Sequence, residues 1–523
     1  MEFIDKPTAH LLVELLAAAG VRHVVVSPGS RCAPLVLALS RSGNFDLKVI
    51  IDERSAAFAG LGMALASGEP TALVCTSGSA VLNYAPALAE AYYRRVPLIA
   101  VSADRPADMV DIRDSQTIRQ PGALAAVVRC SVDIPDVRTE RELRFANRRI
   151  NDAINAATGR IAGPVHINMQ FDAPLTPVAA ERPRTYSCRM PVIMPPSVPR
   201  LDEFMATIAP DARVLILAGG CRPTVSLAAV AAKVAAEGRM AMFAEAQADM
   251  HDVQGFFNPK PDYNALPAPD IVVTLGGSLC SASLKSYLRS LKGLRHISPG
   301  YDDNLNDTFG ARYEAVECDE ADFMSALAAR VHGDSSFVRA WSEALGGEHS
   351  GCSKVNATIA ELAARMPDAD FHFSNGMSVR YAQTVRFGRS CRVEANRGVS
   401  GIEGATSTAI GYAMLSDKPV VLVSGDMSAA YDVGAFATEG IPGHFKMLIA
   451  DNGGGDIFRA VRTTRGLPET ERFFATPPRL PLEALAAAYG FRLCDNIDDF
   501  INCTDAPAIF RLEVAPGDAN NII

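Results

Sequence analysis

The sequence predicts an α/β protein of three domains, each with a mainly parallel sheet flanked by helices. Three observations carry this reading. Short apolar runs alternate along the chain with amphipathic or small-residue helical stretches. Several runs end directly in turns rich in Gly, Ser or Asp, as strands do at the carboxyl edge of a parallel sheet. The length, 523 residues, corresponds to about three domains of ordinary size.

In the first domain, 1–180, the strands expected are Val21–Ser27, Lys48–Ile51, Thr71–Cys75, Pro97–Ser102 and Pro164–Met169, with a helix over Ser55–Ser67. A proline-rich stretch, Ala173–Pro199, reads as a linker and sets the boundary near 180. The second domain, 181–348, opens with Arg213–Leu217. It continues through Met240–Phe243, Asp270–Leu275 and His296–Ser298 to a helix near 320–331. Its Gly219-Gly220 and Gly276-Gly277 pairs fit a nucleotide cradle or ordinary tight turns. A Gly/Ser-rich patch at Gly346–Ser353 marks the last boundary. The third domain, 349–523, has strands at Phe371–Phe373, Val420–Ser424, Lys446–Ala450 and Ile509–Val514. A faint echo links Thr71–Ala80 with Pro419–Ala429. Both read strand, Ser-Gly, helix, a pattern that duplication or chance would produce.

Composition narrows the classes of function. The net charge of −9 gives no global basic field for nucleic acid or an anionic membrane, and a single Trp offers no stacking platform for bases. The N-terminus, Met1-Glu-Phe-Ile-Asp-Lys, lacks the pattern of a signal peptide. The longest apolar runs, such as Pro419–Ser424, are too short to span a bilayer. The eleven cysteines show no metal-like spacing and read as reduced thiols of a cytoplasmic protein.

The strongest chemical signal lies in the third domain. Strand Val420–Ser424 runs into Gly425-Asp-Met-Ser428, and strand Lys446–Ala450 runs into Asp451-Asn-Gly-Gly-Gly455. In a parallel sheet both turns lie at the ligand-binding edge. Asp426 offers a carboxylate, Asn452 an amide oxygen and Gly454 a backbone carbonyl. Three hard oxygens suit Mg²⁺ or Mn²⁺, which completes its shell with phosphate and water. Amides at the start of the helix after Asp426 can bind the same phosphates. A helix N-cap and a plain turn would explain either loop alone; the two together point to a metal-bound diphosphate.

The Gly-Asp turn followed some residues later by Asn resembles the signature of thiamine-diphosphate enzymes. Longer motifs narrow the resemblance: Ser27-Pro-Gly-Ser-Arg31, Asp52-Glu-Arg54, Thr76-Ser-Gly-Ser-Ala80, Ala103-Asp-Arg-Pro106, Gln116-Thr-Ile-Arg-Gln-Pro121 and Asn396-Arg-Gly-Val-Ser-Gly-Ile402. They are similar to those of the 2-succinyl-5-enolpyruvyl-6-hydroxy-3-cyclohexene-1-carboxylate synthase (MenD) family, in order along the chain. The first and third domains match well and the middle one poorly.

The resemblance implies a thiamine-diphosphate-binding fold, with the first domain holding the pyrimidine and the third the diphosphate. It implies an active site at the interface of a homodimer or homotetramer. The reaction expected is decarboxylation of 2-oxoglutarate and addition of the succinyl carbanion to isochorismate, in menaquinone biosynthesis. By resemblance, Glu53 hydrogen-bonds the aminopyrimidine, which asks for a carboxyl in an apolar setting. Thr76, Ser77, Gly78, Gly401, Gly425, Met427, Ser428, Ile457 and Phe458 contact the cofactor beside the metal ligands. Ile402 props it into a bent shape. The substrates carry four carboxylates between them, so several arginines are expected. Arg31, Arg105, Arg380 and Arg397 fill that need, joined by Ser30 and Gln116. Arg31, Gln116 and Arg397 are also expected to act in catalysis.

The chain departs from the family at three places. Asp451 stands where the family usually has Asn. Ala282 and Ser283 stand where it often has a Lys-Arg pair, with Lys285 the nearest basic residue. Gly376 stands in place of a serine. These leave two other readings open: a different thiamine-diphosphate decarboxylase or carboligase, and a non-catalytic ligand-binding relative.

Overall fold

The computed structural model describes residues 3–192, 201–347 and 353–518. Met194–Pro199 of the expected linker and most of the Gly346–Ser353 patch lie outside them. Three parallel sheets flanked by helices organise the described chain, the predicted fold class. The chain forms two compact units. One comprises residues 1–194, 398–417 and 432–445; the other comprises 195–397, 418–431 and 446–523.

The first unit holds a six-stranded sheet in the order Asp46–Val49, His23–Val26, Thr71–Cys75, Leu98–Asp104, Val165–Gln170, Cys130–Ile134, all parallel. Alternate residues serve two cores. Val24, Val26, Ala72, Val74, Ile99 and Val101 face one; Val25, Leu73, Cys75, Leu98 and Ala100 face the other. Burial on both faces explains why these strands read as unbroken apolar runs. One expected strand is displaced. Lys48–Ile51 is corrected to Asp46–Val49, because pairing of His23 with Asp46 and of Val26 with Val49 sets the register. Ile50 is buried just beyond the strand, where its carbonyl accepts from Ser27 Oγ at 2.9 Å.

The second unit holds two sheets. One runs Ala241–Ala244, Val214–Ala218, Ile271–Leu275, Arg295–Pro299, Arg312–Val316. The turns after its first and third strands in chain order carry the two glycine pairs. A Cβ on Gly219 would meet the Gly277 carbonyl oxygen at 2.2 Å, and Gly277 N donates to Gly220 O at 2.9 Å. The glycines let backbone pack on backbone, the turn reading rather than a cradle. The other sheet runs Val393–Ala395, Asp370–Phe373, Val420–Gly425, Phe445–Asp451, Ala508–Glu513, Arg492–Cys494.

Numbered along the chain within each sheet, both six-stranded sheets have the order 2-1-3-4-6-5. The two segments of the faint sequence echo supply the third strand of each. Shared topology at the echoed positions favours duplication over chance. Among the described residues no helix is long and apolar enough to cross a membrane, and all ten described cysteines are free.

Candidate active site

Each unit presents candidate residues at the carboxyl ends of its central strands. In the first unit the loop after His23–Val26 carries Ser30 and Arg31. Gly29 lies so close to Thr76 that a Cβ there would sit 2.2 Å from the threonine Cβ. That approach lets Arg31 N donate to Thr76 Oγ1 at 3.2 Å. The buried Arg31 guanidinium donates to Phe171 O at 2.7 Å, while Ser30 is exposed. Burial, and the nearby charge of Arg105, lower the Arg31 pKa. Two neighbouring cations in one partly desolvated place make a carboxylate-seeking pair. Arg105 is held by Asp114 at 2.8 Å, and its Nε is buried with no hydrogen-bond partner among the described residues.

Thr76, Ser77 and Gly78 follow strand Thr71–Cys75 and dock against the 116–120 loop. Ser77 Oγ donates to Gln116 O at 3.0 Å, Gln116 Nε2 to Ser77 O at 3.3 Å, and Gly78 N to Gln120 Oε1 at 2.8 Å. Gln116 takes a left-handed φ of 57°. A non-glycine residue in that region signals local strain held by its surroundings, a frequent feature of functional loops.

Glu53 is the first residue of helix Glu53–Ser67, which Asp52 caps by accepting from Arg54 N and Ser55 N. Glu53 is half-buried, and its charge reaches the buried Cys75 thiol and Tyr84 hydroxyl. Helix Ala405–Ala413, just after Gly401 and Ile402, packs along the same helix. A Cβ on Gly62 would lie 2.0 Å from Thr408 O, and one on Gly411 2.0 Å from Ala59 O. Reciprocal glycines thus bring the two helix backbones together; Ile402, just before the second helix, is half-buried.

In the second unit strands Val420–Gly425 and Phe445–Asp451 are neighbours, and their following loops meet. Asp426 opens a helix of only six residues, Asp426–Tyr431, which also holds Met427 and the buried Ser428. Asp426 Oδ1 accepts from Met427 N and Oδ2 from Gly454 N, both at 2.7 Å. Burial, with Asp451 nearby, pushes the Asp426 carboxyl up to about 6, a setting that favours a bound cation over bare charge. Asn452 Oδ1 is buried with no hydrogen-bond partner among the described residues. An orphaned amide oxygen costs free energy unless something binds it. Gly454 has φ +116°, and a Cβ there would strike Ala475 O at 2.2 Å. A carboxylate, an orphaned amide oxygen and a glycine backbone form a donor set that fits Mg²⁺.

The surrounding loop is built to hold them. Gly425 N donates to Ser374 Oγ at 3.3 Å, and its α-carbon faces open space, leaving room for a ligand. Ile457 and Phe458 start a short helix, half-buried, with Phe458 against Phe474 at 5.9 Å between ring centroids. Sequence reasoning missed Arg459. Its guanidinium donates to Asn452 O at 3.1 Å and Gly453 O at 2.8 Å and pairs with Glu471 at 2.8 Å. It also missed Arg511, which pairs with Asp451 Oδ2 at 2.6 Å and so offsets the charge that separates this chain from the family pattern. Only the side-chain alternation of strand Ala508–Glu513 offered a signal for that pair.

Arg380 and Arg397 also lie in the second unit. Arg380 folds back so that its guanidinium donates to Gly376 O. Gly376 has φ +89°, which a serine adopts only with strain, so the departure here follows the backbone. Arg397 donates to Asn375 Oδ1 at 3.0 Å and its carbonyl accepts from Ser278 Oγ at 3.0 Å. Ala282 and Ser283 are exposed at the start of helix Ala282–Ser290. Lys285, one turn further, is half-buried, and its pKa is lowered by burial and by the charge of Arg397. The basic residue therefore stands near Arg397 from a different helical position.

Residues 7–123 match the family model described as thiamine pyrophosphate enzyme, N-terminal TPP binding domain. The class defined by fold and match is that of the thiamine-diphosphate-dependent enzymes. Curated relatives narrow it. A 2-succinyl-5-enolpyruvyl-6-hydroxy-3-cyclohexene-1-carboxylate synthase of Porphyromonas gingivalis is 36% identical over 94% of this chain and 90% of its own. The synthase of Cytophaga hutchinsonii is 33% identical over 93% and 90%, and that of Desulfotalea psychrophila 33% over 95% and 96%. The chain belongs to this synthase family, a family of thiamine-diphosphate-dependent transferases.

Proposed function

We propose that this enzyme decarboxylates 2-oxoglutarate and joins the succinyl carbon to isochorismate, in the cytoplasm, as a step toward menaquinone. The observation that carries the reading is a cluster of cations in each unit. Arg31 with Arg105 in one unit, and Arg380 with Arg397 and Lys285 in the other, suit substrates with several carboxylates. A carboligase acting on small neutral acceptors would not need them.

Residues 1–180 serve as the pyrimidine-binding domain, 349–523 as the diphosphate-binding domain and 181–348 as the central domain. Asp426, Asn452 and Gly454 hold a Mg²⁺ or Mn²⁺ ion that anchors the diphosphate, with Gly425, Met427 and Ser428 beside it. When bound, thiamine diphosphate supplies a carbon nucleophile and an electron sink. Glu53 hydrogen-bonds the aminopyrimidine and governs its proton. Thr76, Ser77, Gly78, Gly401, Ile457 and Phe458 would line the cofactor site, with Ile402 as an apolar support. The arginines orient the substrate carboxylates, with Ser30 and Gln116 completing the pocket; positioning and fixed charge do most of the protein's work.

The candidate residues fall in two sets, one per unit. We read a complete site as the first set of one copy against the second set of another, in a homodimer or homotetramer. Val49 and Ile51, 57% and 79% exposed just before Asp52 and Glu53, support a covered surface there. The test is carbon dioxide release from 2-oxoglutarate by protein loaded with thiamine diphosphate and Mg²⁺, with and without isochorismate. Release, with the carboligated product formed when isochorismate is present, is the expected result. Turnover of pyruvate but not 2-oxoglutarate would replace the reading.

A further inference from the structure

Helix Ala85–Arg94 carries Glu90, whose side chain is only 1% exposed. Its carboxylate grips a distant turn of the same compact unit. Oε1 accepts from Gly398 N at 2.7 Å and Oε2 from Val399 N at 2.8 Å, across 308 and 309 residues of sequence. Both bonds are charge-assisted, a type roughly twice as strong as its neutral counterpart. The approach admits no side chain at 398. A Cβ on Gly398 would lie 2.6 Å from Glu90 O and 3.1 Å from its carboxyl carbon.

The turn is constrained further along. Ser400 is held at φ +61°, a region L-residues rarely adopt. Gly404, at φ +73°, abuts the Phe58 ring, which a Cβ there would meet at 2.2 Å. The segment is therefore pinned at 398–399 by Glu90 and at 404 by Phe58. Gly401 and Ile402 lie between the pins.

We propose that Glu90 is a positioning residue for the cofactor. It clamps the 398–402 turn and so sets where Ile402 stands. The proposal rests on the reading of Ile402 as the cofactor's support. A buried carboxylate is an expensive way to satisfy two amides that a neutral acceptor could serve in part. Its use here is rigidity at a strained turn. Small displacements of such a support are costly, because an error of about 1 Å in placement can lower a rate about a hundredfold.

The test compares wild type with Glu90→Gln, which keeps shape and one acceptor, and with Gly398→Ala, which pushes the turn away from an intact Glu90. Three quantities are measured: amide hydrogen exchange in the peptide spanning 398–402, the dissociation constant for thiamine diphosphate with Mg²⁺, and kcat with KM for 2-oxoglutarate. In both variants exchange at 398–399 and the cofactor dissociation constant are each expected to rise about tenfold. kcat is expected to fall about tenfold while KM stays within about twofold, because Arg397, the substrate cation next to the turn, keeps its own anchors at Asn375 and Ser278. Unchanged exchange in Glu90→Gln overturns the clamp. Faster exchange with unchanged cofactor affinity and kcat overturns the positioning role and leaves Glu90 a structural residue. If wild type fails to turn over 2-oxoglutarate, the proposed reaction is wrong, while exchange and cofactor affinity still decide for or against Glu90.

Discussion

Alanine at Gly62 is expected to destabilise the protein, against its usual effect in a helix. Gly62 lies inside helix Glu53–Ser67, where replacing Gly with Ala ordinarily stabilises by about 0.5–1 kcal/mol. Here the new methyl would stand 2.0 Å from Thr408 O and 2.7 Å from Tyr412 N, both backbone atoms that no rotamer change can move aside. Ordinary contact begins at 3.4 Å, so relief requires the two helices to part by 3.4 − 2.0, or 1.4 Å. Overpacking of this kind costs about 1–3 kcal/mol, which exceeds the propensity gain. The parting also displaces the helix that Glu53 begins, so kcat should fall, by about a hundredfold for an error of about 1 Å in placement. Gly60→Ala is the control. Its methyl would meet the movable tip of Leu73 at 2.4 Å, so the loss should be smaller. Urea denaturation and steady-state rates on the three proteins check the reasoning. A Gly62→Ala enzyme as stable as wild type, or destabilised no more than Gly60→Ala, would refute it.

Glu53→Gln should lower kcat by about a thousandfold while leaving cofactor affinity within about threefold, as expected for loss of a proton-handling group; calorimetric binding and turnover check both halves. Asp426→Ala should weaken the Mg²⁺–thiamine diphosphate complex by about a hundredfold, since the carboxylate is the one charged ligand available; titration by intrinsic fluorescence reads this. Asp451→Asn should change metal affinity by less than about threefold, because Arg511 already offsets that carboxylate, and a larger change would show that Asp451 faces the ion. Burial pushes the Glu245 carboxyl up to about 7, against the Cys280 and Ser281 amides and the charges of Arg397 and Lys285. Its folded pKa therefore lies above the unfolded value of about 4.3, so its stabilising contribution is full below pH 4.3 and lost as pH rises through 7. The stability of Glu245→Gln should accordingly gain on that of wild type between pH 5 and pH 8, and a constant difference across that range would count against the assignment.

The central strands were legible because burial on both faces makes them continuous apolar runs. The strands that escaped notice in the three main sheets, Cys130–Ile134, Arg312–Val316, Val393–Ala395 and Arg492–Cys494, are all edge strands. The misplaced strand, Asp46–Val49, is another. Four of these five have a half-exposed pattern, so their apolar signal is weak; Val393–Ala395 is buried but only three residues long, with Glu394 at its centre. Candidate site residues were readable where a strand ends in an unusual turn, as at Gly425-Asp426 and Asp451-Asn452. What supports those turns was not. Glu90 reaches Gly398, and Arg511 reaches Asp451, across stretches that no local pattern spans. The glycines at 62 and 411 read as weak helix formers, whereas their role is close approach of two backbones.

The proposed function requires a cofactor site assembled from the residue set around Glu53 in one copy and the set around Asp426 in another. Mixing inactive Glu53→Gln protein with inactive Asp426→Ala protein, with subunit exchange by brief dissociation, measures this. Half of randomly reassociated dimers are mixed and each such dimer has one intact site, so about a quarter of wild-type carboligation should return. Subunit exchange verified by mass without any recovery of activity would contradict it.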